Sequence, residues 1–376
     1  MFSFYFKRTL LKLFLVFPVK PRKIFFSSYE GQLIACNPKY IYDEMKKRFG
    51  NNRVYIWDYN KVTEKQINEE NIIFVKHNSV KYIYHVMTSK ILITNTGISP
   101  CFPLRKTQLS INTWHGAGCY KKVGKDLSST DIKSYKKYCC YMEKNITYYL
   151  SGCGAWTKVF SEAVFSSPEK FLAVGSPRID ILLNRVSDEY KKKIKEKLTL
   201  KNRLVLYAPT YRGDRDTPEK ASCPIDVERL LAAMKQKFGG DWIFGYRCHY
   251  ATASHFKNIN NSIDLSWYEE MQDILMVSDS LISDYSSVIW DYSFTGKPCF
   301  LYCYDLERYT DERDFYLPIK RWHFPISKNM DELIRDIESF DAVLFEKGMQ
   351  QHHEELDSYE HGDATEKVVN IISNYR

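Results

Sequence analysis

At 376 residues the chain exceeds the usual size of one hydrophobic core, so two domains are the first expectation. Hydrophobic residues at 44% and charged residues at 27% describe an ordinary globular protein and exclude a long disordered majority. The net charge of +8 would suit nucleic acid, but six unopposed positives (Lys7, Arg8, Lys12, Lys20, Arg22, Lys23) precede the first acid, Glu30; the near-balanced remainder fits an anionic lipid surface better than a groove for duplex DNA.

Residues 1–23 read as a basic amphipathic segment. Its longest apolar run, Leu13 to Phe17, falls well short of the ~20 residues needed to span a bilayer. No small-residue cleavage site follows it, so a signal peptide is not expected. The expectation is a short helix lying in the membrane interface, with aromatic and leucine side chains down and lysines at the headgroups. The plainer alternative is a first helix docked on the protein.

Short apolar runs rich in β-branched and aromatic residues then alternate with helical stretches, the pattern of an α/β protein with parallel sheets. The first series predicts strands at 24–26, 54–57, 72–75, 91–94, 109–114, 148–150 and 171–174. Between the first two, Asn37 is expected to cap a helix that has Pro38 in its first turn. A charged, helix-prone stretch at 188–197 precedes a second series, with strands at 204–207, 242–246, 262–265, 280–283 and 300–302. Two such series imply two Rossmann-like domains facing a cleft, over 24–188 and 189–376, with the last helix able to pack back on the first. Sheets of this kind bind ligands just beyond the carboxyl ends of their strands.

Four segments in such places carry chemistry. In Thr113-Trp114-His115-Gly116-Ala117-Gly118-Cys119, followed by Tyr120-Lys121-Lys122-Val123-Gly124, a histidine sits between a strand end and a glycine-rich turn. Its imidazole can take a proton near neutral pH, as deprotonating an acceptor hydroxyl requires; a histidine bonded inside the turn is the structural alternative. In Gly175-Ser176-Pro177-Arg178-Ile179-Asp180 the arginine offers a fork for phosphate, or pairs with Asp180. The third segment has two parts, Leu206 to Arg212 with Pro209 and Thr210, and Gly245-Tyr246-Arg247-Cys248-His249. On an extended backbone Arg247 and His249 project to one side, where one can neutralise phosphate and the other donate to a departing oxygen; a buried arginine paired with a carboxylate is the plainer reading. In Asp279 to Tyr292, Ser286 and Ser287 fall at the start of a helix, where free N–H groups can hold an anion or the serines simply cap.

Several absences narrow the field. There is no Walker loop, no Gly-x-Gly-x-x-Gly after the early strands and no Gly-x-Ser-x-Gly elbow. The ten cysteines show no Cys-x-x-Cys, which points to reduced thiols and away from structural zinc. The run Gln351-His352-His353-Glu354 reads as the solvated face of a polar helix.

Taken together, TWHGAGCYKKVG, GSPRID, LYAPTYR, Arg247-Cys248-His249, SDSLISDYSSVIWDYSFTGKP and LYCYDLERY resemble, in order, the motifs of the CDP-glycerol glycerophosphotransferase family, the teichoic acid primases and polymerases and related capsule transferases. The resemblance implies a GT-B architecture and transfer of a polyol phosphate, glycerol phosphate first, from a CDP-polyol to a membrane-linked teichoic acid or capsule precursor, with release of CMP. It implies catalysis by His115 and His249, and donor contacts from Gly116, Ala117, Gly118, Cys119, Arg178, Pro209, Thr210, Arg247, Cys248, Ser286, Ser287 and Asp291. It also implies no metal or other cofactor, no nucleic-acid partner, and a peripheral place on the cytoplasmic face of the bacterial membrane. Where teichoic acid enzymes commonly read Trp-His-Gly-Thr-Pro, this chain has Ala117 and Gly118, which leans toward capsule or other surface polysaccharides. The alternatives are a nucleotide-sugar-dependent glycosyltransferase on the same scaffold and a membrane protein that binds a nucleotide or glycan without turnover.

Overall fold

The computed structural model describes residues 2–60, 72–210, 212, 223–248 and 260–375. The chain forms an α/β fold with parallel sheets, divided into two compact units. One comprises Met1–Ala117, Val123–Asp180 and Tyr359–Arg376; the other comprises Gly118–Lys122 and Ile181–Ser358.

In the first unit the described strands are β1 (Lys20–Ser27), β2 (Val54–Tyr59), β3 (Ile72–Lys76), β4 (Ser89–Thr94), β5 (Leu109–Asn112), β6 (Tyr148–Ser151) and β7 (Phe171–Ala173). They make one parallel sheet in the order β3, β2, β1, β4, β5, β6, β7. Ile24 pairs with Tyr55 on one side and Ile91 on the other. Their runs are apolar without alternation because both faces are covered. Ile24 and Phe26 pack with Ile41, Tyr42 and Met45 of the helix Cys36–Phe49 and with Val368, Val369 and Ile372 of the helix Ala364–Asn374. Phe25, pointing the other way, meets Tyr82, Val86 and Met87 of the helix Val80–Thr88.

Two expectations fail here. The helix Cys36–Phe49 is entered through Ala35, not capped by Asn37, whose side chain serves elsewhere. Lys23 is not at a headgroup surface: it is buried, its ammonium donates to Thr88 Oγ1 at 2.6 Å, and burial pushes it down to about 8.

The N-terminal helix Phe2–Leu11 and the tight turn Lys12–Val16 lie on the first unit. Arg8 donates to the carbonyls of Pro100 (2.6 Å) and Phe102 (3.1 Å), and Leu11 and Phe14 pack against the Phe25 cluster. Phe6, Leu10, Leu13, Leu15, Val16 and Phe17 nevertheless stay exposed. Docking and a bare apolar side therefore coexist. Among the described residues no helix is long and apolar enough to cross a membrane.

In the second unit β8 (Arg203–Tyr207), β9 (Trp242–Tyr246), β10 (Ser262–Asp264), β11 (Ser280–Ser283), β12 (Cys299–Tyr302) and β13 (Ile326–Ser327) form a parallel sheet in the order β10, β9, β8, β11, β12, β13. All strands expected from the sequence are present. Strand β13 was not expected, since two residues carry no period. The helix Asp188–Lys197 also forms, capped by Ser187 Oγ accepting from Tyr190 N. In each sheet the strand order reverses beside its first strand, between β1 and β4 and between β8 and β11. Those reversals are where such sheets open a crevice for ligands.

Candidate active site

In the first unit the residues after β1, β4 and β5 converge on His115. Its Nδ1 lies 2.9 Å from the carbonyl oxygen of Asn95, just beyond β4. A carbonyl can only accept, so Nδ1 carries the proton and Nε2 is the ring's basic atom. The ring is exposed and stacked on Trp114, with centroids 4.6 Å apart, and Trp114 rests on Phe160 at 4.6 Å. Trp114 sits at φ 53, a conformation a bulky residue adopts only where its surroundings hold it.

Asn37 provides part of that hold. Its Nδ2 donates to the carbonyls of Thr113 and Trp114, each at 3.2 Å, and its Oδ1 accepts from Arg178 N at 3.0 Å. Asn95 supplies another part, its Oδ1 accepting from Tyr29 N at 2.7 Å. Asn95 Nδ2 is buried and has no hydrogen-bond partner among the described residues. Arg178 is buried, with Nη1 3.6 Å from Cys36 Sγ, and Asp180 accepts from the N–H groups of Ala364 and Thr365. Glu360 clamps the same turn by accepting from Ser176 N and Ser176 Oγ, both at 2.8 Å.

From Gly118 to Lys122 the chain packs with the second unit. Gly118 has φ 74, and a Cβ there would lie 2.5 Å from the Tyr120 ring. A proline, fixed near φ −65, could not take this path, so the turn differs in course as well as composition from one reading Thr-Pro. Cys119 is buried and its thiol is pushed up to about 12, which removes it as a nucleophile.

At the reversal of the second sheet, the end of β8 meets the ends of β11 and β12 through Arg212. Its guanidinium donates to Asp284 Oδ2 (2.8 Å), to both oxygens of Asp305 (2.7 and 3.0 Å) and to the carbonyl of Thr210 (2.7 Å). Tyr285 and Tyr309, stacked 4.0 Å apart, flank it. Burial opposes ionisation of Asp305, but Arg212 outweighs it and holds that carboxyl below the usual range. Thr210 N donates to Asp284 Oδ1 at 2.8 Å, whereas its buried Oγ1 has no partner among the described residues. Pro209 and Thr210 are half-buried.

Arg247 is also half-buried, and its guanidinium donates to the backbone carbonyls of Glu269 (3.1 Å) and Tyr268 (3.4 Å). Cys248 is buried, its N–H donates to Ser266 Oγ and its thiol is pushed up to about 12 by burial. His249, and with it the expected pairing with Arg247, lies outside the described residues.

Ser286 and Ser287 stand where expected, half-buried before the helix Val288–Ser293. Ser287 makes no side-chain cap, and Ser286 Oγ accepts from Val288 N only at 3.4 Å. Asp291 is interior, accepting from Gln272 Nε2 at 2.7 Å, a place suited to bracing the turn.

The reading of Gln351 to Glu354 as a solvated face holds for Gln351 and Glu354, which are exposed, and fails for the two histidines between them. His352 is fully buried with Nε2 2.8 Å from the Tyr120 hydroxyl, and His353 stacks on Phe294 with Nε2 2.7 Å from Ser293 Oγ. Sequence reasoning also missed Asn95, Glu360 and the carboxylates of Arg212. Asn95 had a signal, since it follows a predicted strand; Glu360 had none.

Comparison with known proteins gives a consistent picture. The family described as CDP-Glycerol:Poly(glycerophosphate) glycerophosphotransferase matches residues 9–374. A teichoic acid poly(glycerol phosphate) polymerase of Bacillus subtilis (strain 168) is 28% identical over 369 residues, covering 94% of this chain and 49% of the relative. The chain thus spans about half the length of that polymerase. A teichoic acid glycerol-phosphate transferase of Staphylococcus aureus (strain NCTC 8325 / PS 47) is 29% identical over 362 residues, covering 93% of this chain and 92% of the relative. Among solved structures, the wall teichoic acid polymerase TagF, in a histidine variant soaked with CDPG, superposes with a TM-score of 0.83 at 27% identity, covering 98% of this chain and 92% of that one.

Proposed function

The chain belongs to the CDP-glycerol:poly(glycerophosphate) glycerophosphotransferase family, and from that premise we propose that it transfers a polyol phosphate, glycerol phosphate first, from a CDP-polyol to a hydroxyl of a teichoic acid or capsule precursor. The observation that carries the reading is the state of His115. With Nδ1–H given to Asn95, Nε2 is oriented as a base on an exposed ring.

In the proposed reaction His115 Nε2 takes the acceptor hydroxyl proton, and that oxygen attacks the phosphate attached to the polyol. The bond to the oxygen bridging the two phosphates breaks, a phosphodiester forms, and CMP leaves with the bridging oxygen. Charge gathers on phosphate oxygens, so donors fixed beforehand supply much of the rate. The half-buried Ser286 and Ser287, the Pro209-Thr210 turn and Arg247 are the second unit's contributions, and His249 is the donor to the leaving phosphate by resemblance. The bare apolar row from Phe6 to Phe17, together with Lys7 and Lys12, supports a peripheral place on an anionic membrane.

The test incubates the full chain with CDP-glycerol, CDP-ribitol and nucleotide sugars and measures the released nucleotide. CMP from a CDP-polyol is the expected product; a nucleoside diphosphate from a sugar donor would refute the reading. His115→Ala should lower CMP release by about 10²–10⁴-fold, the usual weight of a general base, while melting within a degree or two of wild type because the ring is exposed. Near-normal turnover would remove His115 from the chemistry.

A further inference from the structure

The Trp-His-Gly motif runs on into Tyr120-Lys121-Lys122, and the proposed reaction leaves these residues without a role. Their geometry is specific. Lys121 forms an antiparallel bridge with Phe315, flanked by hydrogen bonds from Tyr316 N to Tyr120 O (2.8 Å) and from Lys122 N to Asp314 O (3.2 Å). Successive side chains in such a segment alternate, and directly opposed residues share a face. Tyr120 turns toward Trp322 and His352, and Lys122 pairs with Asp314. Lys121 therefore lies on the side of Phe315, whose ring packs against Tyr285 at 5.6 Å and Tyr309 at 5.8 Å. Tyr285 directly precedes Ser286 and Ser287.

Two cations thus stand at this turn, and the fold treats them differently. Arg212 is saturated by two carboxylates and a carbonyl. Lys121 is half-buried, and among the described residues its ammonium makes no hydrogen bond or ion pair. Burial pushes that ammonium down to about 8, against the pull of Asp284, while Arg212 and Arg313 add to the positive potential around it. Holding a cation partly out of water without a contacting anion costs free energy, and a protein needing only structural stability would place an apolar side chain there. The retained charge suits an anionic ligand entering beside the Ser286-Ser287 turn.

We propose that Lys121 is a donor-binding residue that contacts the pyrophosphate of the CDP-polyol. The inference rests on the proposed function and adds to it a contact that residue type alone did not single out. As a point charge with three donors, the ammonium can follow the phosphate oxygens as charge moves from the ground state to the leaving CMP.

The experiment compares wild type with Lys121→Gln, Lys121→Arg and Lys122→Gln as full chains, measuring binding of CDP-glycerol and of cytidine by calorimetry, CMP release, and melting. Loss of one charge-assisted contact predicts that Lys121→Gln binds CDP-glycerol about ten- to a hundredfold more weakly. Cytidine binding and melting should not change. Lys121→Arg should recover part of the loss, and Lys122→Gln, which removes the same charge one residue away, should cost no more than about threefold. Equal weakening toward cytidine and CDP-glycerol, or wild-type affinity in Lys121→Gln, would overturn the assignment while leaving the transferase reading intact. A wild-type chain that neither binds CDP-glycerol nor releases CMP from any CDP-polyol would overturn that reading and this assignment with it.

Discussion

Asn37 separates a local role from a tertiary one. As a helix cap it would accept one N–H bond, alanine would cost about 1 kcal/mol, and serine would serve nearly as well. In the structure it instead joins three backbone groups, the carbonyls of Thr113 and Trp114 and the N–H of Arg178. At roughly 1 kcal/mol net for each bond, Asn37→Ala should destabilise the first unit by about 3 kcal/mol, and by more wherever water cannot reach a stranded group. For a unit of this size that lowers melting by roughly 6–12 °C. Activity should fall further than stability explains, because the strut ends one residue before His115 and a shift of about 1 Å at a catalytic group costs on the order of 10²-fold. Asn37→Ser is the decisive variant: it preserves a cap but supplies neither the amide donor nor the reach. Thermal melting followed by tryptophan fluorescence, and CMP release below the melting range, measure both effects. A serine variant that melts and turns over like wild type would refute the strut.

Three further outcomes follow from the same geometry. Gly118→Ala should lose about 1–2 kcal/mol and most activity, since φ 74 is strained for any residue with a Cβ and the Tyr120 ring occupies the space; unchanged melting would show that the turn adapts. Arg212→Met should destabilise the second unit by about 3–5 kcal/mol, because it strands the Asp284 and Asp305 carboxylates, and denaturant unfolding measures it. His352 and His353 are pushed by burial down to about 3 and about 4, so the folded chain keeps them neutral while the unfolded chain binds protons near pH 6.5. Stability should thus be intact above that value and fall by about 1.4 kcal/mol per pH unit for each histidine as pH drops from 6.5 toward 4. Replacing His353 with Phe, beside Phe294 and Trp290, should make this acid limb shallower in urea titrations at several pH values.

The strands were legible because a parallel sheet covered on both faces writes short, unbroken apolar runs such as Ile24 to Phe26. The positions of His115 and of Ser286-Ser287 were legible because chemistry in such sheets falls just beyond strand ends. The errors have a common cause. Asn37-Pro38 looks like a local helix start, and nothing nearby in sequence reports that Thr113 and Arg178 converge on it. His352 is flanked by glutamines and glutamate, which read as solvated; yet Phe345, Met349, His352 and Leu356 follow the helical period, and that stripe is the buried one. The Arg212, Asp284 and Asp305 network joins three loops from three strands, a pairing no spacing could supply.

Residue type alone is a poor guide to which of these groups meets substrate; capacity left over after folding is a better one. Arg178, which the sequence offers for phosphate, is buried, and so is Arg212, which spends its donors on two carboxylates and a carbonyl. Asp291 is likewise turned inward to Gln272. His115 gives the Nδ1–H of an exposed ring to the Asn95 carbonyl, and Lys121 keeps its charge while its neighbour Lys122 pairs with Asp314. Substitutions should therefore divide by satisfaction rather than by charge: those at Arg212 act first on unfolding, and those at His115 and Lys121 act on donor binding or turnover at unchanged melting. An Arg212 variant that folds normally and fails only in CMP release would break this division, because it would mean that the two carboxylates hold the guanidinium for the substrate and not for the sheet.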